Sequence, residues 1–499
     1  MNKSREPVSG FAVSPWIVDG LNRQLGQATD IPKHRRVYQC FREWILAGRL
    51  IAGTRLPSSR RLAQTTDMGR NTALAAIDQL IAEGFLVSRE GSGVYVAELG
   101  VTGLSHNPDE TFAAPDISYR GAAILDISVG SSLPSPAFAL GMPALDLFPD
   151  QQWQRVVRRH SKPRPAAKLH YRVTGGHVGL KAAITDYVRL ARGAACDSDQ
   201  ILITRGTQHA LTLVATLLAD AGDTAWIEEP GYLGARAAFY AADLSMTALP
   251  VDEHGADVQA VGEGATPPRL IYTTPSNQYP RGVTLTLARR LELIEVARRH
   301  QAWIIEDDYD SELRYVSSPL ACLQGLAGGA PVIYIGTFSK TLFPSLQLGY
   351  IVLPKTLVGR FRQANARLFR EDDPGRQAAL ADFMESGEYA RHIHRMRRAY
   401  KRRQDVLRTA LAPAIRAGLT LSSGAAGLHL VVYLESQAAE DQLVTASATA
   451  DVSLARLSDY FVDGHREPGL VLGYAGANER EITRAGTWLS DTWLSLSCR

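Results

Sequence analysis

Cysteine is scarce in this chain: Cys40, Cys196, Cys322 and Cys498 are the four among 499 residues, with no C-x-x-C pair and no metal-ligand spacing. That excludes a disulfide-stapled scaffold and a cysteine zinc site, and it fits free thiols in a reducing compartment. No uninterrupted apolar run reaches about 18 residues, so no helical membrane span is expected. The opening Met-Asn-Lys-Ser-Arg-Glu-Pro lacks the apolar stretch of a secretion signal, and a cytoplasmic protein is the expectation. Excess charge is also missing: 54 Lys/Arg stand against 51 Asp/Glu, a net +3, so nothing global demands a polyanionic partner. Locally the balance differs, because residues 30–97 hold ten Lys/Arg and six Asp/Glu, an excess larger than that of the whole chain.

At 499 residues and 45% hydrophobic, the chain is too long for one core and rich enough in apolar residues for two. Val37, Phe41, Trp44, Ile45 and Leu46 recur at helical spacing from Lys33 and stop before Gly48, predicting a first helix. Leu56-Pro57-Ser58-Ser59-Arg60-Arg61 opens a second, with Ser58 as N-cap. A third starts at Arg70-Asn71-Thr72, with Leu74, Ile77, Leu80 and Ile81 as its expected buried face, and stops at Gly84. Residues 85–96 alternate around Gly91-Ser92-Gly93 and predict a two-stranded hairpin. Three helices and a glycine hairpin make a winged helix-turn-helix.

The run from Gly53 to Val96, with its "LPSSRRLA", "RNT" and "GFLVSREGSGVYV" segments, resembles the DNA-binding domain of the GntR family of bacterial regulators. The resemblance implies a double-stranded DNA operator as partner, with the third helix in the major groove and the wing at the minor groove. It implies Arg60 on phosphate, Arg70, Asn71 and Thr72 at the start of the recognition helix, and Gly91 and Gly93 bringing wing backbone close to DNA. Gly69 departs from the serine usual before the arginine and removes a cap or phosphate donor.

Further on, helical and strand patterns alternate, which predicts a doubly wound α/β fold. Val332-Ile333-Tyr334-Ile335 reads as a buried strand that leads into Gly336-Thr337-Phe338-Ser339-Lys340. Ala302-Trp303-Ile304-Ile305 leads into Glu306-Asp307-Asp308-Tyr309. Two parallel strands that deliver a lysine and an Asp-x-Tyr to one edge suit pyridoxal 5'-phosphate (PLP): an imine-forming amine, a carboxylate for the pyridine nitrogen and a phenol for the ring oxygen. Three more strand ends point to the same rim, at Gly206-Thr207-Gln208, at Glu228 to Tyr232 and at Thr274 to Gly282. A glycine before helix-opening amides is a ready phosphate seat.

Together these motifs resemble fold-type I PLP enzymes of the class I aminotransferase group, and with the N-terminal domain they resemble the MocR subfamily of GntR regulators. The resemblance implies an internal aldimine at Lys340, Asp307 on the pyridine nitrogen, Tyr309 on the ring oxygen and Tyr232 stacked on or flanking the ring. Gly206, Thr207, Gln208 and Thr337 would contact phosphate. Tyr171 would reach the phosphate of the partner subunit in a homodimer. Two departures stand out. Family members commonly carry arginine seven residues after the lysine, where this chain has Gln347 in "SKTLFPSLQLGY"; losing that charge-assisted contact weakens phosphate binding by about 1.5–3 kcal/mol. The strand expected to carry the α-carboxylate arginine, Gly469 to Ala475, has none, which leaves Arg236 as an effector contact.

The expected architecture is multidomain: an N-terminal tail over 1–32, a winged helix over 33–97, a linker over 98–125 with a strand starting near Ile124 to Val129, and an aminotransferase-like α/β domain over 126–499. The expected function is PLP-dependent transcriptional regulation that senses an amino compound or PLP itself, without efficient turnover. The alternatives are an active aminotransferase tethered to DNA and a PLP fold kept for dimerisation. Arg391, Arg395, Arg398 and Arg402 share one helix face, expected to be solvated, and His392 and His394 do not share a face, so no metal site is expected.

Overall fold

The computed structural model describes residues 15–26, 31–66, 68–98, 116–127, 137–161, 170–262, 264–315, 321–329, 331–371, 373–450, 452–462 and 466–497. The chain divides into two compact units, Met1–Asp116 and Ile117–Arg499.

In the first unit, α1 (Pro15–Leu25) occupies part of the stretch expected to be a tail, and it buries Ile17 and Leu21 in the unit's core. Gly20 permits that packing: a Cβ there would lie 2.6 Å from the Trp44 ring. Helix α2 (Lys33–Leu46) buries Val37, Cys40, Phe41, Trp44 and Ile45, while Leu46 is exposed. In α3 (Ser59–Thr65) the Ser58 hydroxyl accepts the Arg61 amide at 3.3 Å, as the N-cap reading requires. The next helix, α4 (Arg70–Ala82), corrects the expected face: Ala73, Ala76, Ile77 and Leu80 point inward and Leu74 is 43% exposed. The physical reason is the 3.6-residue period, which puts 73, 76, 77 and 80 on one stripe and turns 74 to the side of Arg70 and Asn71. Strands β1 (Leu86–Arg89) and β2 (Gly93–Val96) pair antiparallel from Leu86↔Val96 to Arg89↔Gly93.

The second unit begins with α5 (Tyr119–Leu125), capped by the Ser118 hydroxyl. A helix therefore stands where a strand was expected to begin near Ile124; Ser128 and Val129, and residues 99–115 of the expected linker, lie outside the described residues. Helices α6 (Asp150–His160) and α7 (Val178–Arg192) precede the main sheet. Then come β3 (Ile201–Thr204), α8 (Thr207–Leu218), β4 (Thr224–Glu229), α9 (Leu233–Ala241), β5 (Ser245–Asp252), β6 (Gly255–Ala256), β7 (Leu270–Thr273) and α10 (Leu287–His300). They are followed by β8 (Trp303–Asp308), α11 (Leu323–Leu326), β9 (Val332–Thr337) and β10 (Gly349–Val352). The sheet order is β3-β10-β9-β8-β7-β4-β5-β6. Strands β9, β8, β7, β4 and β5 pair parallel in turn, and β10 runs antiparallel between β9 and β3.

Both faces of this sheet are covered, which is why its strands read as continuous apolar runs rather than alternating ones. Successive residues serve opposite cores: Ile304 packs in one cluster and Ile305 in another, both fully buried. Each such side chain contributes about 1.5–3 kcal/mol of burial. The parallel strands share one direction, so their C-terminal ends deliver loop residues to one rim.

The C-terminal part contains α12 (Val358–Leu368), α13 (Pro374–Glu385), α14 (Glu388–Ala410), α15 (Ala412–Arg416), β11 (Thr420–Leu421), β12 (His429–Tyr433), α16 (Gln437–Ser447), β13 (Ala455–Arg456), β14 (Gly469–Gly473) and α17 (Glu479–Ser497). Its antiparallel sheet, β11-β12-β14-β13, packs with α14 and α17 around Tyr400, Leu430, Leu472 and Ile482. Along α14, Arg391, Arg395, Arg398 and Arg402 lie on the outer side, and His392 is buried with its Nε2 against the Thr341 carbonyl at 2.8 Å. Among the described residues, no helix is long and apolar enough to cross a membrane.

Candidate cofactor pocket and DNA-binding face

A cavity of about 780 Å³ opens at the rim of the main sheet. It is lined by Lys340 and Thr337 from the end of β9, Asp307 and Tyr309 from the end of β8, and Tyr232 from the loop after β4. Gly206, Thr207 and Gln208 at the start of α8 line it too, so eight of the residues singled out in the sequence meet in one place.

Asp307 is 3% exposed. Its Oδ2 accepts the Tyr272 hydroxyl at 2.8 Å, whereas its Oδ1 is buried and has no partner among the described residues. Burial pushes its carboxyl up to about 7, with the Tyr272 hydrogen bond pulling the other way. Burial likewise lowers the Lys340 ammonium below its usual range, opposed by the carboxylates of Asp310 and Asp307. Lys340 Nζ donates to the Gly141 carbonyl at 3.0 Å. The Tyr309 hydroxyl is fixed by Asn277, donating to its carbonyl at 2.8 Å and accepting from its side-chain nitrogen at 3.2 Å.

At the other end of the cavity wall, Gly206 caps α8 with φ +93°, a conformation that favours glycine and turns the first helical amides toward the rim. The Gln208 side-chain nitrogen is committed to the Gly234 carbonyl at 2.7 Å, so its free contribution to an anion is its backbone. Gln347 also lines this cavity, with φ +50°.

Two sequence assignments fall outside the pocket. Arg236 does not line it; its guanidinium donates to the Asp459 and Phe461 carbonyls, each at 3.1 Å, and so ties α9 to the segment after β13. The residue expected as an effector contact is thus engaged with these two carbonyls and is not among the cavity's lining residues. Tyr171 is 86% exposed, with the Arg370 guanidinium 5.0 Å over its ring, and does not line the cavity of its own protomer. Sequence reasoning missed Tyr272, Asn277 and Gly141, which position the groups it found; only Asn277 lay inside a motif, and none carries a signal separate from ordinary strand and turn residues.

In the first unit, Arg60, Arg70 and Asn71 are exposed and Thr72 is half-buried, on α3 and the first turn of α4. Gly69 caps α4 without a side-chain bond, as its departure from serine implies. Gly91 and Gly93 have φ of +71° and +117° at the wing tip. Two wing arginines went unnoticed in the sequence: Arg89 lies 4.6 Å over the Tyr95 ring, and Arg55 fills the place beside Gly93, where a Cβ would stand 3.0 Å from its Nε.

Residues 33–96 match the model of bacterial regulatory proteins of the gntR family, and residues 151–469 match aminotransferase class I and II. The chain is 38% identical over 475 residues to the probable rhizopine catabolism regulatory protein MocR of Rhizobium meliloti, covering 95% of this chain and 96% of that protein. It belongs to the MocR subfamily of GntR-family transcriptional regulators.

This MocR-type chain is also 29% identical to the HTH-type pyridoxine biosynthesis transcriptional regulator PdxR of Corynebacterium glutamicum, across 93% of its length and 96% of that protein. Among solved structures, it resembles the α-aminoadipate aminotransferase LysN of Thermus thermophilus, complexed with N-(5'-phosphopyridoxyl)-L-leucine. The match has a TM-score of 0.67 and 25% identity, over 76% of this chain and 96% of that one. The aminotransferase class I and II fold family is PLP-dependent. The MocR-type pocket fits such a group, because a buried, unpartnered Asp307 oxygen calls for a donor, and Gly206 and the start of α8 line the same cavity, with nothing within 4 Å of where a Gly206 Cβ would stand.

Proposed function

We propose that this protein is a PLP-binding transcriptional regulator, working in the cytoplasm as a homodimer, whose aminotransferase-like unit senses an amino compound or PLP itself. The observation that carries the reading is the pairing, in one cavity, of a half-buried lysine, Lys340, with an orphaned carboxylate oxygen at Asp307, in a chain that also carries a winged helix. PLP, when bound, supplies an electrophilic carbonyl that condenses reversibly with amines.

The chain's own residues divide the work. Burial lowers the Lys340 ammonium, which favours the neutral, nucleophilic amine, and the Gly141 carbonyl holds Nζ in place. Asp307 Oδ1 would take a protonated ring nitrogen, and the Tyr309 hydroxyl, which donates to the Asn277 carbonyl, would turn that proton to the ring oxygen. Tyr232 would flank the ring, and Gly206, Thr207, Gln208 and Thr337 would hold the phosphate. Tyr171, exposed on its own protomer, would serve the partner's pocket in this reading. On the DNA side, Arg60 takes phosphate, Arg70, Asn71 and Thr72 enter the major groove, and Gly91 and Gly93 bring the wing close to the minor groove.

Sensing without efficient turnover follows from the substrate side. Arg236 donates to two carbonyls, Arg281 pairs with Glu467 at 2.6 Å, and neither lines the cavity, so neither stands where it would fix a substrate carboxylate in the geometry that transamination needs. A ligand shifts DNA binding only through unequal affinity for two arrangements of the protein. The test is borohydride reduction of the PLP-loaded protein followed by peptide mapping. A pyridoxyl group on Lys340, absent in Lys340→Ala, is the expected result; a reducible adduct that survives in Lys340→Ala sinks the assignment. Rapid steady-state turnover with amino donors and oxo-acid acceptors would instead favour an enzyme.

A further inference from the structure

The phosphate corner of the cavity carries an unassigned cation. Strand β10 pairs antiparallel with β3, Gly349 opposite Thr204. Continued past that pair, the register runs to Leu348 opposite Arg205 at one step and Gln347 opposite Gly206 at two. The approach is close: a Cβ on Gly349 would fall 2.9 Å from Gly206 Cα. Gln347, Gly206 and Arg205 therefore share one corner, and all three line the cavity.

Arg205 differs from the other arginines in this region. Arg362 donates to the Asp199 carbonyl at 2.6 Å, Arg370 to the Ala366 carbonyl at 2.7 Å and Arg376 to the Leu346 carbonyl at 3.2 Å. Arg205 is exposed, and its guanidinium makes no ion pair or side-chain hydrogen bond among the described residues; its Cζ stands 6.0 Å over the Phe369 ring. Its backbone is nevertheless fixed, since its N–H donates to His209 Nδ1 at 2.9 Å. The backbone is thus fixed at the start of α8, while the guanidinium carries five donors that no described residue takes up, and a planar guanidinium suits a phosphate dianion. A helix N-terminus alone binds anions through partial charges; a full cation beside it adds a charge-assisted contact.

We infer that Arg205 supplies the cation for the phosphate of PLP in place of the charge that position 347 lacks. The inference rests on the PLP reading above. The two are separated by measuring affinity for PLP and for pyridoxal, which lacks the phosphate, by fluorescence titration of the full-length protein, Arg205→Gln, Gln347→Arg and the double variant. Arg205→Gln is expected to weaken PLP at least tenfold while leaving pyridoxal within twofold, and Gln347→Arg in the same chain is expected to restore PLP. If Arg205→Gln binds PLP like the parent, or loses pyridoxal in equal measure, the role of Arg205 is overturned and the cofactor reading stands. If neither the parent nor Gln347→Arg binds PLP, the cofactor reading itself falls.

Discussion

Gly141 lies directly against the end of the Lys340 side chain. A Cβ there would lie 2.4 Å from Lys340 Nζ, and the Gly141 carbonyl accepts that same nitrogen's hydrogen bond at 3.0 Å. Gly141 also has φ +65°, so an alanine would be strained even with space to spare. Gly141→Ala is expected to leave the fold intact, cost about 1–2 kcal/mol of stability, and push the amine out of register. Borohydride trapping of PLP on Lys340 should fall at least tenfold, about 1.4 kcal/mol in free energy; undiminished trapping would show that the contact does not position the lysine.

The buried Asp307 gives the cofactor-free protein a pH signature. Its folded pKa, pushed up to about 7 by burial, lies above the unfolded value near 4, so the folded state favours the protonated carboxyl. That contribution is complete below pH 4 and is lost as the pH rises through about 7. Its upper bound is on the order of 4 kcal/mol. Asp307→Asn is therefore expected to raise the melting temperature of the cofactor-free protein at pH 8 relative to the parent, with a smaller gain at pH 5, and to bind PLP more weakly. Equal melting temperatures at pH 8 would mean that Asp307 is not held protonated by the fold.

The far side of the pocket predicts a ligand preference. Beyond Arg205 and Lys340, no arginine or lysine lines the cavity among the described residues, and burial drives His429 down to about 4, so it is neutral at pH 7. Tyr279 and Tyr460 pack edge to face there, at 5.5 Å. An α-carboxylate entering this region would lose water without gaining a cation. Tyramine is expected to perturb the PLP absorbance of the loaded protein at concentrations at least tenfold lower than tyrosine does. The reverse order would require a carboxylate-binding cation at the site.

On the DNA side, Arg60→Ala should weaken binding to different sequences about equally and reduce the slope of log affinity against log salt by about 1. Asn71→Ala should alter which base is preferred at one position, with a cost of about 1–3 kcal/mol for the cognate site. Selection from a random duplex library, followed by salt titration, distinguishes the two. A salt slope unchanged in Arg60→Ala would remove it from the phosphate contacts.

Wing geometry gives a further handle. Gly93→Val combines a strained φ of +117° with a side chain directed at Arg55 Nε. Displacing Arg55 and distorting the hairpin tip is expected to lower DNA affinity at least tenfold while the cofactor chemistry of the other unit is unaffected, and gel-shift and absorbance measurements on the same sample read both.

Local pattern fixed much of this protein. The apolar runs that became β8 and β9, the Ser58 cap and the hairpin at Gly91 and Gly93 depend on neighbours within a few residues, and such short-range preferences are written in the chain itself. The glycine before α8 is of the same kind. Tertiary structure decided the rest, because it turned on contacts between residues far apart in sequence. Lys340 is held by a carbonyl 199 positions away, and Arg236 is spent on carbonyls more than 220 positions away. Leu74 faces outward because the core claimed the stripe beside it, and Asp307 keeps an oxygen unpaired because the fold buries it there. Periodicity marks a residue as apolar or polar; only packing determines which surface covers it and which donor it meets.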